Sequence, residues 1–419
     1  MALSKKAGNS KDLKVLNRIA VLNTIRNKGP IARHEVSKII GLTPPAVTVI
    51  VNSLIAAGII REIGRGDSTG GRRPVMLELN PRAGYILALR IQRGEIVSAL
   101  LDLGHHIIET QRQKIDTGDP EEVVAVIGDT FAEMMHHAHI SHQNILWCGV
   151  ASPGLVNSYE GIVERSSNLS WGKVAFAEML SRCLKGIPVH VENISNAAAL
   201  GEKMYGSGYH CSDMIYLNLS VGIGAGIIIN NQLFGGSQGY AGEIGLAIVP
   251  YPAKDNLGFE YCTLESICGI QAVLQRIRAV IPEASVKKYG LVKSRISSEE
   301  ILTPSLMEIA EVRNVLAEAG RMIGIKVAEL IQLFNPKMII LGGEWAGAGE
   351  FLLEIVREEV RKNTLKEMSE SVKLIVSTMR EDPPLMGVYA LVLEKVFQTE
   401  EWIGNESNNN GDEENVHTK

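Results

Sequence analysis

The chain has 419 residues, 45% of them hydrophobic, which is enough for two or three domains with cores of their own. Its net charge of −5 is unevenly placed: residues 1–80 hold 13 Lys and Arg against 5 Asp and Glu, so that segment is +8 and the remainder −13, which points any polyanionic partner at the N-terminal part. No run approaches the ~18 apolar residues of a membrane span, the start MALSKKAGNS has no apolar signal segment, and five cysteines without a C-x-x-C spacing argue against a disulfide framework; the expected location is the cytoplasm, with no membrane partner.

In chain order, apolar spacing predicts a first helix over 13–26, with Val15, Ile19 and Leu22 on one side, ended by Gly29-Pro30. A second helix over 33–40 starts after Ala32, where a Ser or Thr cap is expected, so its N-terminus should fray by about 1 kcal/mol. The third begins with Thr43 as a cap and Pro44 at the first helical position, and stops at Gly58. Val47, Ile50, Val51 and Leu54 share its buried face, which leaves Pro45, Thr48, Val49 and Asn52 on an uncharged outer face.

Residues 59–63, a glycine-rich loop and residues 75–79 then read as a hairpin whose tip carries Arg65, Arg72 and Arg73. Helix, short helix, turn, longer helix and cationic ribbon are the order of a winged helix-turn-helix, in which the last helix enters the major groove and the wing grips backbone or minor groove. The expected partner is double-stranded operator DNA. Its expected contacts are Thr43, Pro44, Pro45, Thr48, Val49, Asn52, Arg65, Arg72 and Arg73; base reading falls to Thr48 and Asn52, with Val49 available to a thymine methyl. The alternative is a solvated hairpin on a metabolic enzyme.

From Pro81 the period changes. Three strands over 85–91, 95–101 and 105–114 form a meander, followed by a helix (120–137), a strand (145–150), a helix (174–183), a strand (189–191) and a helix (196–205), an α/β pattern. Gly222, Gly224 and Gly226 suit a hairpin that admits a ligand's phosphates, and Gly242-Glu243-Ile244-Gly245 is a second tight turn bearing a carboxylate. A long helix over 311–334, a strand over 337–341 and the turn Gly342-Gly343 would bring backbone N–H groups to an adenine nucleotide or similar ligand. The polar, acidic stretch from Asn405 reads as a disordered tail.

The chain up to about Phe397 resembles the ROK family of bacterial sugar kinases and sugar-responsive repressors. The segment GNSKDLKVLNRIAVLNTIRNKGPIARHEVSKIIGLT, the wing Gly70-Gly71-Arg72-Arg73-Pro74 and Leu79-Asn80-Pro81 are similar to the part that the repressors carry and the free-standing kinases lack. The resemblance implies a winged helix-turn-helix over 1–80 and a two-lobed actin-like (ribonuclease H-like) ROK domain. Its first lobe would cover 81–205 with a returning helix at 384–398, its second lobe 206–383, and a tail would follow at 399–419. Relatives more often have Arg where Val49 stands, so guanine contacts are not expected there.

The resemblance also marks departures. The kinases' phosphate loop Asp-x-Gly-Gly-Thr is matched by Arg90-Ile91-Gln92-Arg93-Gly94, and their Glu-Asn-Asp-x-Asn, which holds the catalytic base, by Glu192-Asn193-Ile194-Ser195-Asn196. Isoleucine cannot take a proton, and general-base catalysis contributes roughly 10²- to 10⁴-fold. Asn193, Glu243 and Glu265 match the family's sugar ligands, whereas its zinc-binding histidine is Leu246. Only Cys262 remains of the nearby cysteines, Thr263 standing at one lost position, so neither metal nor cofactor is expected.

Each retained residue also has a local alternative: Glu243 as a turn residue, Glu265 at a helix start, Asn193 bonded to its own backbone. Arg90 and Arg93 read either as partners of an anionic effector or, preferably, as surface charge at a strand end. The reading is a homodimeric or homotetrameric repressor of carbohydrate (xylose-type) genes, not an enzyme, answering to a sugar or sugar phosphate. Its competitors are a regulator that keeps kinase activity and a repressor controlled by a protein partner.

Overall fold

The computed structural model describes residues 10–66, 73–115, 118–252, 259–399 and 402. The N-terminal module runs α1 (Ser10–Lys28), β1 (Ile31–Ala32), α2 (Arg33–Ile40), α3 (Pro44–Ala56), β2 (Ile60–Arg65) and β3 (Val75–Leu79), with the strands paired in the order β1-β3-β2. Val47, Val51 and Leu54 of α3 are fully buried against Val21, Leu22 and Ile25 of α1, Val36 of α2 and Leu77 of β3. On α1 the buried residues lie later than the periodicity suggested: Val15 and Ile19 are only half-buried, because the first half of the helix runs beyond this core.

Two cap expectations change. Ala32 offers no side-chain cap, but the Glu35 carboxylate accepts from the Ala32 N–H at 2.9 Å, so the start of α2 is held from inside the helix. Thr43 stands at the N-cap of α3 without a capping hydrogen bond. Pro44 and Pro45 follow it, and Pro45 removes one of the two N–H groups such a cap would serve.

Two five-stranded sheets follow, built alike. The first comprises β4 (Tyr85–Gln92), β5 (Glu95–Asp102), β6 (Ile107–Lys114), β7 (Ile145–Ser152) and, beyond a small hairpin of β8 (Leu155–Asn157) and β9 (Ile162–Arg165), β10 (Val189–Asn193), in the order β10-β7-β4-β5-β6. The second comprises β11 (Met214–Leu219), β12 (Ile223–Ile229), β13 (Gln232–Leu233), β16 (Met338–Gly342) and β17 (Lys373–Val376), in the order β13-β12-β11-β16-β17. In each, a meander is extended by two parallel strands, the repeat expected of an actin-like fold. A second hairpin, β14 (Ile248–Pro252) with β15 (Phe259–Thr263), is inserted in sequence between β13 and β16.

Alternation along β4 assigns the layers. Leu87, Leu89 and Ile91 pack on α4 (Pro120–Ala138) and α5 (Phe176–Cys183), while Ile86 and Ala88 face α15 (Pro383–Val396), the helix that returns from the end of the chain. The far face of the second sheet is covered by α7 (Leu264–Cys268), α8 (Ile270–Val280), α12 (Ala310–Phe334) and α13 (Gly349–Asn363); the short helices α9 (Glu283–Lys288), α10 (Ser298–Ile301) and α11 (Pro304–Met307) connect α8 to α12, and α14 (Lys366–Ser371) follows α13. Helix α6 (Ile194–Tyr205) lies between the sheets, Ala197 in the core shared with α15 and Ala198 and Ala199 against Met214 and Tyr216 of β11. Helices α6 and α15 cross closely because both lack side chains at the contact: a Cβ on Gly201 would collide with the Pro383 carbonyl, and one on Gly387 with that of Ala197.

The end of α15 meets α1. Asn23 Nδ2 donates to the Phe397 carbonyl at 3.0 Å, and Arg26 pairs with Glu394 while its guanidinium lies 4.3 Å from the centre of the Phe397 ring. The buried core of the N-terminal module is continuous with that of α15.

Candidate effector cleft and DNA-reading face

A cleft of about 420 Å³ opens where the loops after β7, β9, β10 and β11 converge, within the size range of small-molecule sites. Asn193, Glu243 and Glu265 all line it. Asn193 ends β10 and caps α6: its Oδ1 accepts from the N–H groups of Ser195 (2.8 Å) and Asn196 (3.3 Å), and its Nδ2 donates to the Gly154 carbonyl (2.9 Å). Its side chain is therefore first a piece of local structure. Glu265 lies in the first turn of α7, whose Thr263 cap accepts from Ser266, and its Oε2 accepts from the Ile223 N–H at 2.9 Å.

Glu243 is half-buried, and burial together with the neighbouring Glu265 raises its pKa to about 7. A carboxyl whose pKa rises on folding costs stability once the solution is alkaline enough to ionise it. Glu243→Gln is therefore expected to stabilise the protein relative to the parent at pH 8, by up to roughly 2–3 kcal/mol, seen as a higher melting temperature. The gain should fade as pH falls from 7 to below 4.5, where the carboxyl is protonated in both states; an equal gain at pH 4 and pH 8 in thermal melts would contradict this.

Several expectations need correction. The hairpin expected at Gly222, Gly224 and Gly226 is formed by β11 and β12, with Gly222 and Gly224 in the cleft wall, but Gly226 lies apart from it, where a Cβ would collide with Ser195 and Ala199 of α6. At Gly342-Gly343 the Gly343 N–H donates to the Tyr216 hydroxyl oxygen at 3.2 Å, and Trp345 just beyond is buried with Nε1 donating to the Cys268 carbonyl. That turn is filled from inside and does not border the cleft.

Arg90 is not surface charge. It is 7% exposed, its Nε 2.6 Å from Asp382 and its Nη2 2.9 Å from Glu95. Asp382 also caps α15, accepting from Leu385. Arg93, by contrast, is exposed and lines the cleft together with Arg165.

Ile194 lines the cleft at the start of α6, and Leu246 is 62% exposed at its mouth. Cys262 is half-buried, and among the described residues no group of three or more His, Cys, Asp and Glu is placed to hold a metal. Sequence reasoning missed the contribution of β9 and the loop after it, Arg165 to Asn168, which forms one wall. The alternation Leu155–Asn157 and Ile162–Arg165 about a Glu160-Gly161 turn was the available signal.

On the N-terminal module Pro45, Thr48, Val49 and Asn52 are exposed on one face of α3, Val49 at 69%. The Thr48 hydroxyl donates to the Pro44 carbonyl at 2.9 Å and must turn away from it to read a base. Thr43 and Pro44 are exposed at the helix start, and Arg65 and Arg73 are exposed at the two roots of the wing loop; Arg72 lies outside the described residues, as does the tail from Asn405. No single helix among the described residues is long and apolar enough to cross a membrane.

Comparison with known proteins agrees with this architecture. Residues 86–395 match the model of the ROK family, and residues 15–61 match a winged helix-turn-helix DNA-binding model. The xylose repressor of Caldicellulosiruptor bescii is 30% identical over 408 residues, covering 94% of this chain and all of its own length. The N-acetylglucosamine repressor of Escherichia coli O157:H7 is 27% identical over 92% of this chain and 94% of its own. A crystal structure of a ROK family transcriptional regulator, a homologue of the Escherichia coli MLC protein, superposes with a TM-score of 0.76 at 26% identity, covering 93% of this chain and 99% of that one. With an N-terminal DNA-binding module joined to a two-lobed domain matched over most of its length, the chain belongs to the ROK family, as a DNA-binding transcriptional regulator.

Proposed function

We propose that this regulator represses carbohydrate-utilisation genes of the xylose type, and that its ROK domain binds a sugar or sugar phosphate without phosphorylating it. The observation that carries the second half is Ile194, an aliphatic side chain lining the cleft at the start of α6 where the family's kinases resemble one another in having a base. Arg90 supports it: the residue matching the aspartate of the phosphate loop is a buried cation tied to Asp382 and Glu95. Glu243 and Glu265 supply acceptors for sugar hydroxyls, and Arg93 and Arg165 offer charge to an anionic group.

On this reading a sugar that favours the closed form shifts the population of lobe arrangements, and α6 and α15 carry the shift to α1. The protein acts in the cytoplasm as a homodimer or homotetramer, because symmetric operators place half-sites ~34–36 Å apart or at multiples of that distance. The test is a coupled assay of ATP turnover with glucose, xylose and N-acetylglucosamine. Turnover should equal that of an inert control protein with every sugar; stimulation by any one of them would favour a regulator that has kept kinase activity.

A further inference from the structure

The reading helix α3 has no charged residue, yet a cation stands on its outer face. Arg33, the first residue of α2, sends Nη2 to 2.9 Å from Glu62 Oε1 and 3.3 Å from Asn52 Oδ1. Asn52 is exposed on α3, and Glu62 lies on β2, the first strand of the wing. One guanidinium thus joins the three elements that face DNA in this motif, and its Nε has no hydrogen-bond partner.

The pair is built to exchange. Its side chains are 27% and 44% exposed, and ion pairs this open to water contribute little to stability. Bringing DNA against α3 and the wing would set the Glu62 carboxylate beside a polyanion, whereas Arg33 gains from the same approach. A phosphate offers the planar fork of a guanidinium the same acceptor geometry as a carboxylate, with more charge in the surroundings.

We propose that Arg33 is a phosphate clamp of the DNA-bound form, held in the free protein by Glu62, whose carboxylate stands in for the phosphate. Binding then passes Arg33 from Glu62 to the DNA backbone and frees Asn52 to turn towards a base edge. Glu62 in this scheme lowers affinity for DNA of any sequence, since it competes for the clamp without reading bases.

The test measures binding of the full chain to a mixed-sequence duplex and to a selected operator duplex by fluorescence anisotropy over a range of salt. Arg33→Ala should weaken both by about tenfold and make the slope of log affinity against log salt shallower by about 0.9, one phosphate contact. Glu62→Gln should tighten binding to both several-fold, and that gain should vanish when Arg33→Ala is also present. Unchanged affinity of Arg33→Ala, or a Glu62→Gln gain of equal size with and without Arg33, would overturn the clamp. A loss confined to the operator duplex would overturn it too, assigning Arg33 to a base. If Arg33→Ala does not fold, as judged by circular dichroism, Glu62→Gln decides alone, because it leaves the start of α2 untouched: unchanged affinity refutes the proposal.

Discussion

An Arg72→Ala, Arg73→Ala double variant is expected to bind operator DNA roughly ten- to a hundredfold more weakly than the parent at physiological salt, with the slope of log affinity against log salt shallower by about 1.8. The reason is the distribution of charge. Helix α3 brings no positive charge to the groove. Backbone attraction from the wing is therefore expected to depend strongly on the arginines of its loop. Each phosphate that loses its cation retains its counterions, which removes about 0.9 from the slope. Anisotropy titrations at several salt concentrations measure both quantities. Unchanged affinity and slope would detach the wing from DNA binding.

Most of the fold was legible because its signals are local. The face of α3 follows from Val47, Val51 and Leu54 at helical spacing, and the first meander from alternation broken at Arg93-Gly94 and Leu103-Gly104. What could not be read depends on partners distant in sequence. Arg90 looks like a strand-end cation until Asp382, 292 residues away, is placed beside it. Gly226 looks like part of a phosphate loop until α6 is laid across it. The wall from Arg165 to Asn168 carries only a weak signal, an alternation over strands of three and four residues. At the cleft the types of Asn193, Glu243 and Glu265 were informative, but the engagement of Asn193 with its own helix is a matter of geometry.

Glu243→Gln and Glu265→Gln are expected to abolish most of the response to a sugar effector while leaving operator affinity in its absence unchanged. Both carboxylates line the cleft, far along the chain from the DNA-reading face, so neither change touches DNA. Their influence has a continuous packed route. The cleft borders the Asn193 cap of α6, α6 crosses α15 at Gly201 and Gly387, and α15 ends on Asn23 and Arg26 of α1. A ligand that draws the lobes together can therefore turn α15, and with it the N-terminal module, provided it binds the two arrangements with different affinity.

The most direct measurement is operator affinity of the parent and of these two variants, each with and without a panel of sugars and sugar phosphates. For the parent, one member of the panel should weaken binding some 5- to 150-fold, the span of a coupling free energy of about 1–3 kcal/mol. The variants should bind as tightly as the parent without ligand and respond little to it. Equal responses by all three proteins, or no change in the parent with any sugar, would contradict the account.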